Sequence, residues 1–271
     1  MRLITWLYLF YLVIPISLLF LGSFGESWTN QLFPSGFTLK WYYAVAIDPS
    51  FRRAFVTSLQ VVVATCILDA LLAVPLAYAI FASANRGVRS AARLVALLPI
   101  AAPPLVLGFG FILVFSSDVF PWLGSLWLLI AGHVVLTLPY LFQTLVGDMR
   151  HLGLVQLELA AESLGAGFAQ RFLDIVLPSL RHSLASGLIM VAALSIGEFQ
   201  ISNLIAGFMS RTYPVVLLQA FYGATGFACA ATVALLILAL TAAWAGSITA
   251  RSTARHAAGG RPAPILNPAG G

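Results

Sequence analysis

Six stretches of the chain, residues 3–22, 54–81, 94–115, 123–146, 183–203 and 227–249, are apolar over about 20 residues each, the length a helix needs to cross a bilayer core. Lipid offers no water to a backbone N–H or C=O, so such a segment must close its own hydrogen bonds as a helix. An all-α membrane protein with six transmembrane helices is expected. Composition agrees: 8% of the residues are charged and 61% hydrophobic, against roughly 25% charged in soluble domains. Mean hydropathy is +0.97. The first stretch follows Met1-Arg2, but it exceeds the roughly 7–15 residues of a signal-peptide core and no small-x-small site follows it. It is expected to remain as the first span.

Residues 1–250 thus read as one transmembrane domain. The tail 251–271, rich in Gly, Pro and Ala, reads as disordered. Ten of the 14 basic residues fall on one side of the spans and four (Lys40, Arg52, Arg53, Arg211) on the other. The richer side is expected to be cytoplasmic, with both termini inside. The basic excess is then a topology signal, and no nucleic-acid partner is implied. The outer stretch from Ser23 to Arg53 carries Trp28, Trp41, Tyr42 and Tyr43, which suits an interfacial segment with a short surface helix. Cys66 and Cys229 lie in apolar runs without a CxxC pair or a His/Cys cluster, so neither a metal site nor a redox pair is indicated.

The segment Gly147–Arg181, between the fourth and fifth spans, is the most patterned part of the chain. Leu154, Leu157, Ala161 and Leu164 recur at spacings of three and four and form an apolar helical stripe. Glu158 and Glu162 lie on another face. Gly165 and Gly167 are expected to stop the helix, since glycine readily adopts the left-handed conformation of a helix end. Phe168, Phe172 and Ile175 form a second stripe, which Pro178 is expected to interrupt by disfavouring helix at Leu177. The result is a helix–turn–helix outside the membrane, suited either to docking in another protein's groove or to lying on the membrane surface.

Ala160, Ala161, Gly165, Ile175, Leu177 and Pro178 match in register the pattern E-A-A-x3-G-x9-I-x-L-P. The chain here resembles the permeases of binding-protein-dependent ABC importers. The motif's first position holds Leu159, with Glu158 one residue earlier. LLPIAAPPLVLGFG at Leu97–Gly110 and SIGEF at Ser195–Phe199 are similar to further stretches of the branch that includes permeases for polyamines, ferric iron, thiamine and 2-aminoethylphosphonate. The resemblance implies a type I importer fold in the bacterial cytoplasmic membrane. Its implied partners are a cytoplasmic ABC ATPase dimer, a second permease subunit and an extracytoplasmic substrate-binding protein. Glu158, Ala160, Ala161, Gly165, Ile175, Leu177 and Pro178 become candidate ATPase-coupling residues. No G-x4-G-K-[ST] sequence is present, so this chain is expected to bind no cofactor, with ATP and Mg handled by the partner ATPase.

Ionisable residues within spans are costly, at about 2.5–3.5 kcal/mol on insertion scales, and mark candidate sites. Asp69, His133 and Glu198 are three such residues. Glu198, with Ser195 and Asn203 near it, suits either a translocation path or gate or a structural hydrogen-bonding role. Asp69, upstream of Pro75, suits pairing with another helix or a place in the same path, and His133 reads as a lone packing group. Pro99, Pro103, Pro104, Gly108 and Gly110 are expected to bend or loosen the third span. No catalytic residues are indicated: G-x-S-x-G and H-E-x-x-H are absent, and an intramembrane hydrolase would need an activated nucleophile or paired carboxylates. A secondary transporter or channel acting without an ATPase is the alternative, but it leaves the patterned cytoplasmic segment unexplained. The branch resemblance, with Trp28–Leu39, leans toward a small amine, a polyamine before 2-aminoethylphosphonate. Asp69 and Glu198 would attract its ammonium group if they face the cavity.

Overall fold

The structure is a computed structural model that describes residues 2–28, 33–83, 85–237 and 239–240. The expected tail 251–271 and the last part of the expected sixth span lie outside the described residues. The chain divides into two compact units, Met1–Ile47 with Ala220–Gly271, and Asp48–Gln219.

In the first unit, α1 (Arg2–Phe24) leads into a small antiparallel hairpin, β1 (Gly25–Ser27) with β2 (Ser35–Phe37), and then α2 (Lys40–Ile47). From Ile4 onward, α1 exposes an apolar side chain at most positions, as a lipid-facing span must. The expected short helix of the outer segment is α2. Its Trp41 Nε1 donates to the Gly25 carbonyl at 2.8 Å, and its Tyr42 hydroxyl lies 2.7 Å from Ser23 Oγ. Trp41 is thus tied to the hairpin and Tyr42 to the end of α1, while Tyr43 is exposed.

The second unit opens with α3 (Pro49–Ala82). Asp48 caps it by accepting from the Ser50 and Phe51 N–H groups, and proline stands at its first position. Its 34 residues span about 51 Å at 1.5 Å per residue, longer than the hydrocarbon core. Then come α4 (Arg86–Ala101), α5 (Pro104–Phe115) and α6 (Leu126–His151), followed by α7 (Leu154–Ser163) and α8 (Phe168–Ser179, with a π turn at Phe172–Val176). Next are α9 (Arg181–Ile196), α10 (Gln200–Ile205) and α11 (Tyr213–Phe221), and the chain re-enters the first unit with α12 (Thr225–Ile237). A core of Ala73, Ala77, Leu141, Leu145, Met149 and Val191 binds α3, α6 and α9 into one bundle.

Three expectations are corrected. The third span is no single helix: α4 and α5 meet at 97°. Pro103 and Pro104 follow Ala102, which is held extended at φ −86°, ψ 130°. A proline's missing N–H and its clash with the preceding residue break the helix there. The fifth expected span, 183–203, stops at Ile196 and resumes at Gln200. Pro178 does not end its helix, and Leu177 is helical at φ −62°, ψ −46°. The π turn, in which the Leu177 N–H reaches the Phe172 carbonyl, widens the helix just where the proline ring would press on the preceding turn. Among the described residues, three helices are long and apolar enough to cross a membrane, and each bent pair (α4–α5 and α8–α9) passes the same test when taken together. The protein is an all-α membrane protein apart from the small hairpin.

Candidate functional site: a coupling hairpin and a buried polar network

Helices α7 and α8 form a tight hairpin. Gly165 has φ +85°. The Ala166 N–H returns to the Ala161 carbonyl at 3.0 Å and the Gly165 N–H to Glu162 at 2.9 Å, the paired bonds of a Schellman end. Gly167 does not help stop α7, as the sequence suggested. It is extended at φ −73° and starts α8. Across the turn, Glu162 and Arg171 pair at 2.7 Å. Both are partly open to solvent, so the pair holds the two helices at modest strength.

The hairpin is anchored on one side and bare on the other. Leu154 is fully buried in the bundle core. Glu158 is half-buried beside Tyr78 near the end of α3, with one carboxylate oxygen buried and unpartnered among the described residues. The Tyr78 ring also packs edge-on against Phe172 at 5.2 Å and lies 6.0 Å from Phe168. The expected single stripe is therefore split: Leu154 anchors, Ala161 is half-buried, and Leu157 and Leu164 are exposed, Leu164 at 88%. Leu159, at the position where the pattern has an acid, and Ala160 are also exposed. Ile175 and Leu177 are half-buried and Pro178 is exposed, while Val176 and Leu180 between and beyond them fill the core. Tyr78 was missed by sequence reasoning. Its only sign was a phenol close to the basic end of a span, and its partner lies far along the chain.

The ionisable residues of the spans converge. Asp69 on α3 accepts from Thr137 on α6 at 2.6 Å. His133, one turn earlier on α6, lies 2.7 Å from Ser195 Oγ through Nδ1 and 3.0 Å from Ser202 Oγ through Nε2. Ser202 Oγ donates to Glu198 at 2.6 Å, so its oxygen accepts from the histidine and His133 carries a proton on Nε2. Glu198 also accepts from the Ile201 and Ser202 N–H groups at 2.7 and 2.9 Å. It thereby caps α10 just after the break at Gly197. His133 is thus no lone packing group. It joins α6 to both sides of the broken fifth segment.

Asp69, Ser195 and Glu198 are buried within this unit, whereas Asn203 is exposed. The structure therefore brings together three of the four expected path residues and leaves Asn203 apart. Both Glu198 oxygens accept from internal donors, whereas Asp69 is held through Oδ2 alone and its buried Oδ1 has no partner among the described residues. Chemically, the network fixes a kink: buried polar groups of this kind hold one geometry because leaving a partner unpaired is costly.

Comparison with known proteins gives this arrangement its setting. Residues 70–255 match the family described as the inner membrane component of binding-protein-dependent transport systems. The permease protein PhnV of Salmonella typhimurium, assigned to 2-aminoethylphosphonate transport, is 27% identical over 213 residues, covering 78% of each chain. The spermidine/putrescine permease PotC of Escherichia coli is 26% identical, covering 89% of this chain and 90% of its own. The molybdenum permease ModB of Mycobacterium tuberculosis is 30% identical, covering 64% of this chain and 70% of its own. The fold is similar to that of a bacterial ABC transporter involved in import of the acidic polysaccharide alginate, with a TM-score of 0.70, 17% identity and 93% of each chain covered. With a family match across more than half its length, the chain belongs to the inner-membrane permeases of binding-protein-dependent ABC importers and is not an enzyme.

Proposed function

We propose that this permease forms half of a translocation path with a second permease subunit, identical or homologous, and is driven through the α7–α8 hairpin by a cytoplasmic ABC ATPase dimer. The observation that carries the reading is the hairpin itself. One side is fastened to α3 and the bundle through buried Leu154 and the packing of Tyr78 on Phe172, and the other exposes Leu159, Leu164 and Phe168. A surface that is rigidly backed and apolar in front can transmit a push. Closure of the ATPase pair on ATP would move the hairpin, and Tyr78 would pass that movement to α3. ATP and Mg belong to the partner, and Ala160, Ala161, Gly165, Ile175, Leu177 and Pro178 shape the coupling segment. Six spans with both termini cytoplasmic follow if each bent pair and α12 cross the membrane, with the ten-to-four division of basic residues setting direction.

In the buried network, Ser195, Glu198 and Asp69 hold the geometry of the broken fifth segment, and exposed Asn203 is the one of the four that can face a path. An extracytoplasmic binding protein would deliver the solute. For that solute we favour a small amine-bearing molecule, a polyamine or 2-aminoethylphosphonate, on the strength of the PotC and PhnV likenesses. Calorimetry of the cognate binding protein against spermidine, putrescine, 2-aminoethylphosphonate and molybdate tests this. Tight binding of molybdate alone would replace the amine with an oxyanion, as the ModB likeness suggests. For the coupling itself, the test is co-purification of the ATPase with the permease. A permease that transports without any ATPase would instead be a secondary transporter.

A further inference from the structure

We propose that the arginines of α4 and of the end of α6 form a binding site for the phosphate group of an anionic phospholipid in the cytoplasmic leaflet. The side of the membrane rests on the orientation proposed above, and the site itself rests on local geometry. Arg93 on α4 shares a cavity wall with Arg150 in the last turn of α6, and Arg89 stands one turn before Arg93 on α4. None of the three takes part in a salt bridge among the described residues. The Nε atoms of Arg89 and Arg93 are buried without a hydrogen-bond partner. Beside them lies a cavity of about 210 Å³ lined by Arg93, Arg150, Gln143, Leu97 and Phe142. Two orphaned Nε donors beside a third cation form an incomplete arrangement. A phosphate, whose oxygens accept several guanidinium hydrogen bonds at once, completes it.

The surroundings of the cluster indicate that this phosphate is carried by a lipid. Arg86, Arg89 and Arg93 run along one stripe of α4 at spacings of three and four. Ala92 and Ala96 pack on the bundle core. The remaining face exposes Val88, Leu94, Val95 and Leu98. The 97° bend after Ala101 sets α4 across the direction of α5. A helix with a basic stripe, a bare apolar face and an orientation across its neighbouring span is built to lie at a membrane interface, and basic pockets between helices there hold anionic head groups. A soluble anion would satisfy the arginines alone, whereas a phospholipid also covers Leu97 in the cavity wall and exposed Leu94 beside it with its acyl chains.

Native mass spectrometry of the assembled importer, released from mixed phosphatidylglycerol and phosphatidylethanolamine vesicles, tests this. Wild type should retain phosphatidylglycerol preferentially. The double variant Arg93→Gln/Arg150→Gln should lose roughly thirtyfold of that preference, from the contribution of two surface cations, while Arg93→Lys/Arg150→Lys keeps most of it. Equal retention of the two lipids by wild type, or an unchanged preference in the glutamine variant, would overturn the proposal. So would displacement of the lipid by millimolar inorganic phosphate, which would make the pocket a site for a soluble anion. Loss of the ATPase subunit with lipid retention intact would overturn it too, because the arginines would then serve the partner. If the glutamine variant fails to assemble, the lipid contrast in wild type and the lysine variant decides. Failure here with the ATPase still bound would leave the permease reading untouched.

Discussion

Replacing Gly165 separates backbone geometry from surface contact in the coupling hairpin. Nothing lies within 4 Å of the position a Cβ would take there, so a side chain meets no steric barrier within this chain. The penalty comes from φ +85°, which costs an ordinary L-residue about 1–2 kcal/mol and a β-branched residue most. Asparagine tolerates this region several-fold better than most residues. In Gly165→Val, the Schellman turn between Leu164 and Phe168 should open more often, lowering the ratio of closed to open hairpin by a factor of about 5–30. Gly165→Asn should stay close to wild type. The assay is solute uptake in vesicles alongside the amount of ATPase that co-purifies, with permease level in the membrane as the control. If Val and Asn are equally harmful, the glycine is needed because the partner touches it, and the conformational argument is wrong. If Val transports normally, the hairpin turn plays no part in coupling.

Tyr78→Phe keeps the ring contacts with Phe168 and Phe172 but removes the hydroxyl beside Glu158. Uptake should fall severalfold, matching the roughly 0.5–1.5 kcal/mol of an ordinary polar contact, while ATPase binding is retained, because the docking face is untouched; loss of ATPase binding would contradict this. His133→Ala removes the bridge between α6 and the fifth segment and leaves Ser195 and Ser202 short of a partner. Thermal unfolding of the purified permease should occur at lower temperature, and an unchanged midpoint would show that the network is not holding the kink. Glu198→Gln retains an acceptor for the Ile201 and Ser202 N–H groups and should be milder than Glu198→Ala in protein level; equal levels for the two would argue against a capping role. For topology, single cysteines at Ser35 and Met209 in a cysteine-free background should label from outside and one at Gly167 only from inside. Outside labelling at Gly167 would reverse the orientation.

Much of the fold was legible because bilayer crossing and helix ending are local matters. The apolar runs located α1, α3 and α6, and Gly165 was readable as a left-handed end because the need for a glycine there arises within one turn of helix. Pro103 and Pro104 marked a weakness in the third span, but the 97° angle depends on packing against α6 that no local pattern carries. His133 could not be read: its partners Ser195 and Ser202 lie 62 and 69 positions away and are ordinary span residues in isolation. Glu158 was found by spacing, yet its place beside Tyr78 was not legible, because Tyr78 belongs to a span far earlier in the chain. The π turn around Pro178 escaped because the usual rule treats a proline as an interruption and not as the cause of a wider turn.

The central claim, that an ATPase is driven against the bare face of the α7–α8 hairpin, is tested most directly at Leu164. Its side chain is 88% exposed, so Leu164→Asp should leave folding and membrane insertion unchanged. The affinity of the purified ATPase subunit for permease in nanodiscs should fall at least tenfold if that side chain is buried on docking, since burying a leucine contributes about 1.5–3 kcal/mol. ATP-dependent uptake should fall with it. Unchanged affinity together with unchanged uptake in Leu164→Asp would contradict the account.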